Sequence, residues 1–171
     1  MQIRPEMSKM LFSYNEDYLN ADWVQSTLNR YLDDLPLFNQ IMDKGMNKTS
    51  RKIRMYFAHG EFIGYLIYVP NFFKFDENRK LLPDENKASS FKTLNINDIE
   101  VRKSIRENKD NPRYGRDIIN NFINLASSKY DAITLQANNT ELIDYYKKTF
   151  KFLNLKTPDN RMVLWLKNQT N

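Results

Sequence analysis

Most of the residues that could do chemistry lie between Asn111 and Phe152. Arg113 and Arg116 flank Gly115, one of only four glycines in the 171 residues, and Pro112 stands just ahead. Ile118, Ile119, Phe122, Ile123, Leu125 and Ala126 then fall on one face at helical period. A loop running into a helix start offers unpaired backbone N–H groups and the positive end of the helix dipole, and two guanidiniums add charged donors. That is anion-binding chemistry. A glycine there lets the backbone approach a ligand with no Cβ in the way. Asp117, in the first helical turn, suits the dipole but opposes an anion if it points inward. Farther along, Tyr146 is a phenol with an ordinary pKa of about 10, protonated at neutral pH and available as an acid. Asp98 and Glu100 are carboxylates able to help an amine or a water lose a proton.

Much other chemistry is excluded. The chain has no cysteine and one histidine, which removes disulfides, thiolate zinc sites, cysteine nucleophiles and multi-histidine metal sites. His59 sits beside Gly60 and Glu61, where an exposed hairpin-turn histidine without a role is expected. There is no nucleophile elbow, Walker sequence or EF-hand loop. No metal is expected.

The elements that must hold these residues are legible in the same stretch. After the first helix, Ala132, Ile133 and Leu135 with Thr134 between them have the composition of a buried strand. Asn138, Asn139 and Thr140 are helix-start residues, and Leu142, Ile143, Tyr146 and Phe150 form a second apolar stripe. Tyr146 therefore reads equally as a core residue and as an acid. Asn139 reads as an N-cap, as a ligand contact, or as both.

In this stretch the chain resembles the GNAT N-acetyltransferase family. There a strand feeds a turn written Q/R-x-x-G-x-G/A and a helix whose backbone N–H groups hold the pyrophosphate of acetyl-CoA. With Ile118 and Ile119 on the aliphatic pair after the turn, Gly115 falls on its last glycine, Arg113 on its first and Asp110 on the Gln or Arg. The second helix has Asn139, Leu142, Ile143, Tyr145, Tyr146 and Lys148 in register with the family's N-x-x-A-I-x-F-Y-x-K. The resemblance implies acetyl-CoA as co-substrate, with Arg113, Tyr114, Gly115, Arg116 and Asn139 contacting it. It implies that a backbone N–H near Val101, at the end of the central strand, polarises the thioester carbonyl. It implies Tyr146 as the acid that protonates the leaving thiolate, with Tyr145 the lesser candidate. Glu100, with Asp98 beside it, is the candidate base for its place on the central strand near the splay the family implies. Some members carry a glutamate farther back on that strand, where this chain has Asn95.

The remaining segments fit the same order of elements. Gln2 to Arg4 or Met10 to Phe12 opens the first strand. Helices follow from about Asp22 to Asp34 and, after Pro36, from Leu37 to Gly45. Ile53 to Phe57 and Phe62 to Val69 read as a hairpin, with Gly64 marking a bulge or a close backbone approach. Asn71 to Lys92 is long for its place and reads either as a solvated excursion with aromatic anchors or as an acceptor-side flap. Thr93 to Val101 is the central strand. Leu94 and Ile96 alternate in one phase and Ile99 and Val101 in the other, so a one-residue bulge at Asn97 or Asp98 restores a common face. Phe152 to Leu155 and Met162 to Leu166 form a last antiparallel pair around a turn at Pro158-Asp159-Asn160.

Composition sets the frame. Apolar residues make up 41% and charged residues 27%, ordinary globular usage. No apolar run approaches the roughly 20 residues that span a bilayer, and no signal peptide is visible, so a cytoplasmic protein without membrane contact is expected. A net charge of +5 and a pI near 9.3 point to anionic partners, with the basic residues scattered rather than blocked. The expectation is one α/β (α+β) domain over residues 1–171, a GNAT-like mixed, mainly antiparallel sheet with helices on both faces. Its expected function is acetyl transfer from acetyl-CoA to an amine of a small molecule or protein by direct attack. A homodimer is compatible with this, and nucleic acid is not an expected partner. The alternative is a GNAT-fold module without catalysis that binds a protein or nucleic acid.

Overall fold

A computed structural model describes residues 12–18, 51–58, 61–83, 87–102 and 114–166. Among the described residues are seven strands: β1 (Phe12–Tyr18), β2 (Lys52–Ala58), β3 (Glu61–Pro70), β4 (Thr93–Val101), β5 (Ala132–Gln136), β6 (Leu153–Asn154) and β7 (Arg161–Trp165). Two helices accompany them, α1 (Tyr114–Ala126) and α2 (Thr140–Phe150). The strands form one sheet in the order β1-β2-β3-β4-β5-β7-β6. β4 and β5 pair in parallel, and β1–β2, β5–β7 and β6–β7 are antiparallel. This is the expected mixed, mainly antiparallel sheet flanked by helices. The helices read at residues 22–34 and 37–45, the turn at His59 and Gly60, and the strand candidates at residues 2–4 and 10–11 lie outside the described residues.

The chain divides into two compact units, Met1–Ile67 with Asp98–Ile118, and Tyr68–Asn97 with Ile119–Asn171. In the first, β1 runs against β2 with Phe12 opposite Ala58 and Tyr18 opposite Lys52. Every residue from Ile53 to Ala58 is buried, as is every residue from Phe62 to Ile67. Such unbroken burial, in runs that are apolar but for Arg54 and Gly64, marks strands covered on both faces, where alternation disappears. Tyr56, Phe62 and Tyr65 are among the largest fully buried side chains, and Phe57 meets Phe62 edge-on at 5.7 Å.

The second unit is built on β5, whose short apolar run pairs with β4 on one side and β7 on the other. β4 and β5 match from Thr93–Ala132 to Ile96–Leu135, and β4 then continues to Val101. Phe122 of α1 packs edge-on against Tyr68 at 5.0 Å. α2 begins at the N-cap Asn139, whose side chain accepts from the Leu142 N–H at 2.9 Å. It ends at Lys151, held left-handed at φ 69°. Both signals are those expected of helix termini.

The excursion after β3 is anchored by its aromatics. Phe73 and Phe75 join Ala132 and Val163 in a buried cluster bordered by Leu81, Phe91, Leu155 and Trp165. Phe75 bridges to Leu81, and Asp76 closes the tight turn between them by accepting from the Asn78 and Lys80 N–H groups. Arg79 lies over the Trp165 ring at 4.4 Å. Phe72 is 44% exposed. The observed packing is thus that of an excursion pinned by aromatic anchors.

Candidate active site

The candidate site begins where β3 and β4 run together. The Asn71 N–H donates to Thr93 O at 2.8 Å, and the Arg102 N–H donates to Ile63 O at 2.9 Å. Eight steps separate Ile63 from Asn71 on one strand, while nine separate Thr93 from Arg102 on the other. In an antiparallel ladder that mismatch requires one extra residue on β4, which is a β-bulge. Its place is marked by Gly64. A Cβ built there would overlap the Glu100 carbonyl oxygen and lie 3.1 Å from Val101 Cα and 3.2 Å from the Glu100 carbonyl carbon. Glu100 and Val101 thus both crowd Gly64, and only a residue without a side chain fits. The phase change along β4 predicts a bulge at Asn97 or Asp98, whereas the contacts of Gly64 put the closest approach of the strands farther on, at Glu100 and Val101.

Beyond the bulge, the chain reaches the start of α1. A Cβ at Gly115 would meet Val101 Cγ2 at 3.6 Å, an ordinary contact, so the last residue of β4 lies beside the first helical turn. Here one expectation is corrected. The sequence places Gly115 in a loop ahead of the helix, whereas it is the second residue of α1. The apolar stripe begins only at Ile118, and the helix extends upstream because first-turn N–H groups need no intrahelical partner and Asp117 complements the dipole. Arg113 lies outside the described residues.

The charges around this turn are mixed. Arg102 donates through Nη1 to Phe62 O at 3.2 Å and stands 3.8 Å from the Glu61 carboxylate. Burial, followed by the charges of Glu61 and Asp117, raises the Tyr114 phenol above its ordinary value, so it stays protonated at neutral pH. Burial also raises the Asp117 carboxyl, with Arg116 opposing. A carboxyl with a raised folded-state pKa contributes stability that is full at low pH and is lost as pH rises through that value. Asp117→Asn should therefore gain on the wild type as pH rises through this window. Melting temperatures of the two proteins across the acid range check this, and a difference that does not vary with pH would refute it.

Of the other residues, Tyr65 is wholly buried and donates its hydroxyl to Asp98 Oδ2 at 2.9 Å. Asp98 was visible as a candidate carboxylate, but nothing in the sequence joins it to a tyrosine 33 positions away. In the second unit, Asn95 is 3% exposed and accepts from Thr134 Oγ1 at 2.8 Å, while its amide lies 3.4 Å from Asn97 Oδ1. A buried polar pair therefore occupies the strand position where the resemblance puts a glutamate. Asn139 is exposed and serves as the cap of α2. Tyr146 is 8% exposed, its ring 5.5 Å from Tyr145 and 5.8 Å from Phe152, whereas Tyr145 is 39% exposed. The structure thus brings Glu100, Val101, Tyr114, Gly115 and Arg116 into one unit, and Asn139 and Tyr146 into the other.

The strand order, the parallel β4–β5 pair, the bulged central strand and the helix that follows it are those of the GNAT-like fold. No protein-family model and no curated protein matches the sequence. Solved structures do match. The chain is similar to AtaTR bound with acetyl-CoA, at 14% identity over 90% of this chain and 94% of that one, with a TM-score of 0.56. It is similar to a mutant of KacT, at 10% identity over 90% and 95% with a TM-score of 0.53. It is also similar to the Campylobacter jejuni N-acetyltransferase PseH, at 12% identity over 92% and 99% with a TM-score of 0.51.

Proposed function

We propose that this protein transfers an acetyl group from acetyl-CoA to an amine. The observation that carries the reading is the pairing of a bulged β4 end with a glycine-bearing helix start, Val101 beside Gly115. A bulge takes a residue out of the regular ladder, and its backbone donor is then available to a ligand. In this reading the N–H at Val101 polarises the thioester carbonyl as negative charge develops on its oxygen. The backbone at Tyr114, Gly115 and Arg116, with Arg113, holds the pyrophosphate by helix-start donors and guanidinium charge, and Asn139 adds a contact beside its capping role. The amine attacks the carbonyl carbon directly. Its N–C bond forms, the C–S bond breaks, Glu100 takes the amine proton and Tyr146 protonates the departing thiolate. No covalent enzyme intermediate is involved, and positioning supplies much of the rate.

Titration calorimetry with acetyl-CoA tests the reading, and Gly115→Ala sharpens it. The added Cβ makes only an ordinary contact with Val101 Cγ2, so the fold should tolerate it. If phosphate oxygens approach this backbone closely, affinity should fall by about tenfold, or ~1.4 kcal/mol, with little change in melting temperature. No binding by the wild type would end the proposal, and undiminished binding by the variant would remove the phosphates from this turn.

The acceptor amine sits on a small molecule or a protein in the first reading. A second reading, an amine carried on nucleic acid, is favoured by the net charge of +5 and by the similarity to AtaT, solved in complex with acetyl-methionyl-tRNAfMet. Transfer of labelled acetyl to charged tRNA, compared with transfer to polyamines and peptides, separates the two.

A further inference from the structure

A hollow of about 580 Å³ opens in the second unit, lined by Asn71, Lys74, Ser89, Ser90, Phe91, Lys92, Lys129 and Asp131 among others. Its wall belongs to the excursion after β3 and to the turn after α1, and it includes none of the residues assigned to acetyl transfer. Its frame is tied down by backbone. The Asp131 and Ala132 N–H groups both donate to Lys92 O, at 2.7 and 3.3 Å, and the Lys92 N–H donates to Asp131 Oδ2 at 2.8 Å. Ser89 Oγ is committed as well, accepting from the Phe75 and Phe91 N–H groups.

What the committed groups leave is almost entirely donors. The ammonium groups of Lys92 and Lys129 and the hydroxyl of Ser90 have no hydrogen-bond or ion-pair partner among the described residues. Asn71 uses its side-chain oxygen to accept from the Thr93 N–H at 3.3 Å, which leaves its NH₂ without a hydrogen bond among the described residues. Lys74 and Asp131 also line the hollow but are engaged in interactions of their own, so the uncommitted charge is that of Lys92 and Lys129. A concave, donor-rich, cation-lined hollow suits an anion with several acceptor oxygens, and charge-assisted bonds to phosphate are the strong ones. The volume falls within the roughly 300–1,000 Å³ of small-molecule sites, more than a bare phosphate fills. Phe91 supplies an apolar wall for the remainder of such a molecule.

We propose that this hollow binds a phosphate monoester of about nucleotide size. The proposal is independent of the acetyl-transfer reading. The same phosphate chemistry comes from a free nucleotide or from the terminal phosphate of a nucleic-acid strand, and the test separates these sources.

The test titrates uridine 5′-monophosphate into the full-length, isotope-labelled protein at low ionic strength and follows backbone amide resonances. Saturable shifts should appear at Ser90, Lys92 and Lys129, with none from uridine. Lys92→Glu combined with Lys129→Glu should weaken binding at least tenfold, whereas Lys147→Glu combined with Lys148→Glu should not. Retained amide dispersion certifies that the variants fold, and the Lys92→Gln, Lys129→Gln pair replaces the first variant if it does not. A 5′-phosphorylated oligouridylate that binds more than tenfold tighter than the mononucleotide assigns the phosphate to a strand end, and equal or weaker binding assigns it to a free nucleotide. Shifts spread over all surface lysines, or equal binding by the Lys92 and Lys129 variant, would overturn the proposal. Displacement of the nucleotide by acetyl-CoA would also overturn it, because the hollow would then belong to the co-substrate.

Discussion

Gly64→Ala is expected to destabilise the protein by about 3 kcal/mol or more, at or beyond the upper end of ordinary overpacking. The new Cβ would overlap a backbone oxygen, that of Glu100, and no side-chain rotation relieves such a clash. Either β3 and β4 separate at the bulge or the bulge itself is lost, and both disturb a strand buried along its length. At this chain length a loss of 3 kcal/mol lowers the melting temperature by roughly 6–12 °C. Gly115→Ala makes the matched control, since its Cβ meets only a methyl group at 3.6 Å and alanine favours the helix. Thermal unfolding of both variants decides the matter. Equal melting temperatures would mean that the strands do not approach as closely as Gly64 implies.

Tyr146→Phe carries the largest expected effect on activity. The substitution removes one hydroxyl and keeps a ring that packs against Tyr145 and Phe152. If Tyr146 protonates the leaving thiolate, turnover should fall by roughly 10²–10⁴-fold, the usual worth of general-acid catalysis. Acetyl-CoA affinity should hardly change, because the lost interaction belongs to the transition state. If the residue is only core, the cost is about 1 kcal/mol of stability or less, from one lost hydrogen bond. A folded variant with full turnover would pass the role to Tyr145, which at 39% exposure is the more accessible of the pair, or to solvent.

The elements that bury apolar runs were the ones the sequence made plain. β2, β3 and β5 stand out by composition, and Thr93 to Val101 has the bounds expected of it, including the phase change that signals its bulge. Asn139 was a cap by residue type and is a cap in the structure. β1 was another matter. Asn15, Glu16 and Asp17 are poor strand formers, so its extended conformation comes from pairing with β2 rather than from its own propensity. Gly115 was misplaced by one helical turn because the apolar stripe marks where a helix packs, not where it starts. Tyr65 and Asp98 could not have been joined at all, since a hydrogen bond between distant positions leaves no local pattern. The close approach at Gly64 was anticipated, but its partner, the backbone of Glu100 and Val101, emerges only from the register of two strands.

The left-handed residue that ends α2 has company. Asn71, Arg79, Lys151, Lys156 and Asn160 all take positive φ, in a chain with only four glycines. Non-glycine residues pay roughly 1–2 kcal/mol for that conformation, asparagine less, and glycine recovers most of it after its own entropy is counted. All five lie in the second unit, and Lys151 caps the helix that carries Tyr146. For a lineage moving to a hotter habitat, these turns are where adaptation is easiest. A lysine-to-glycine change at the exposed position 156 relieves the backbone without touching a buried side chain, so heat tolerance can be gained there with the packed interior left as it is.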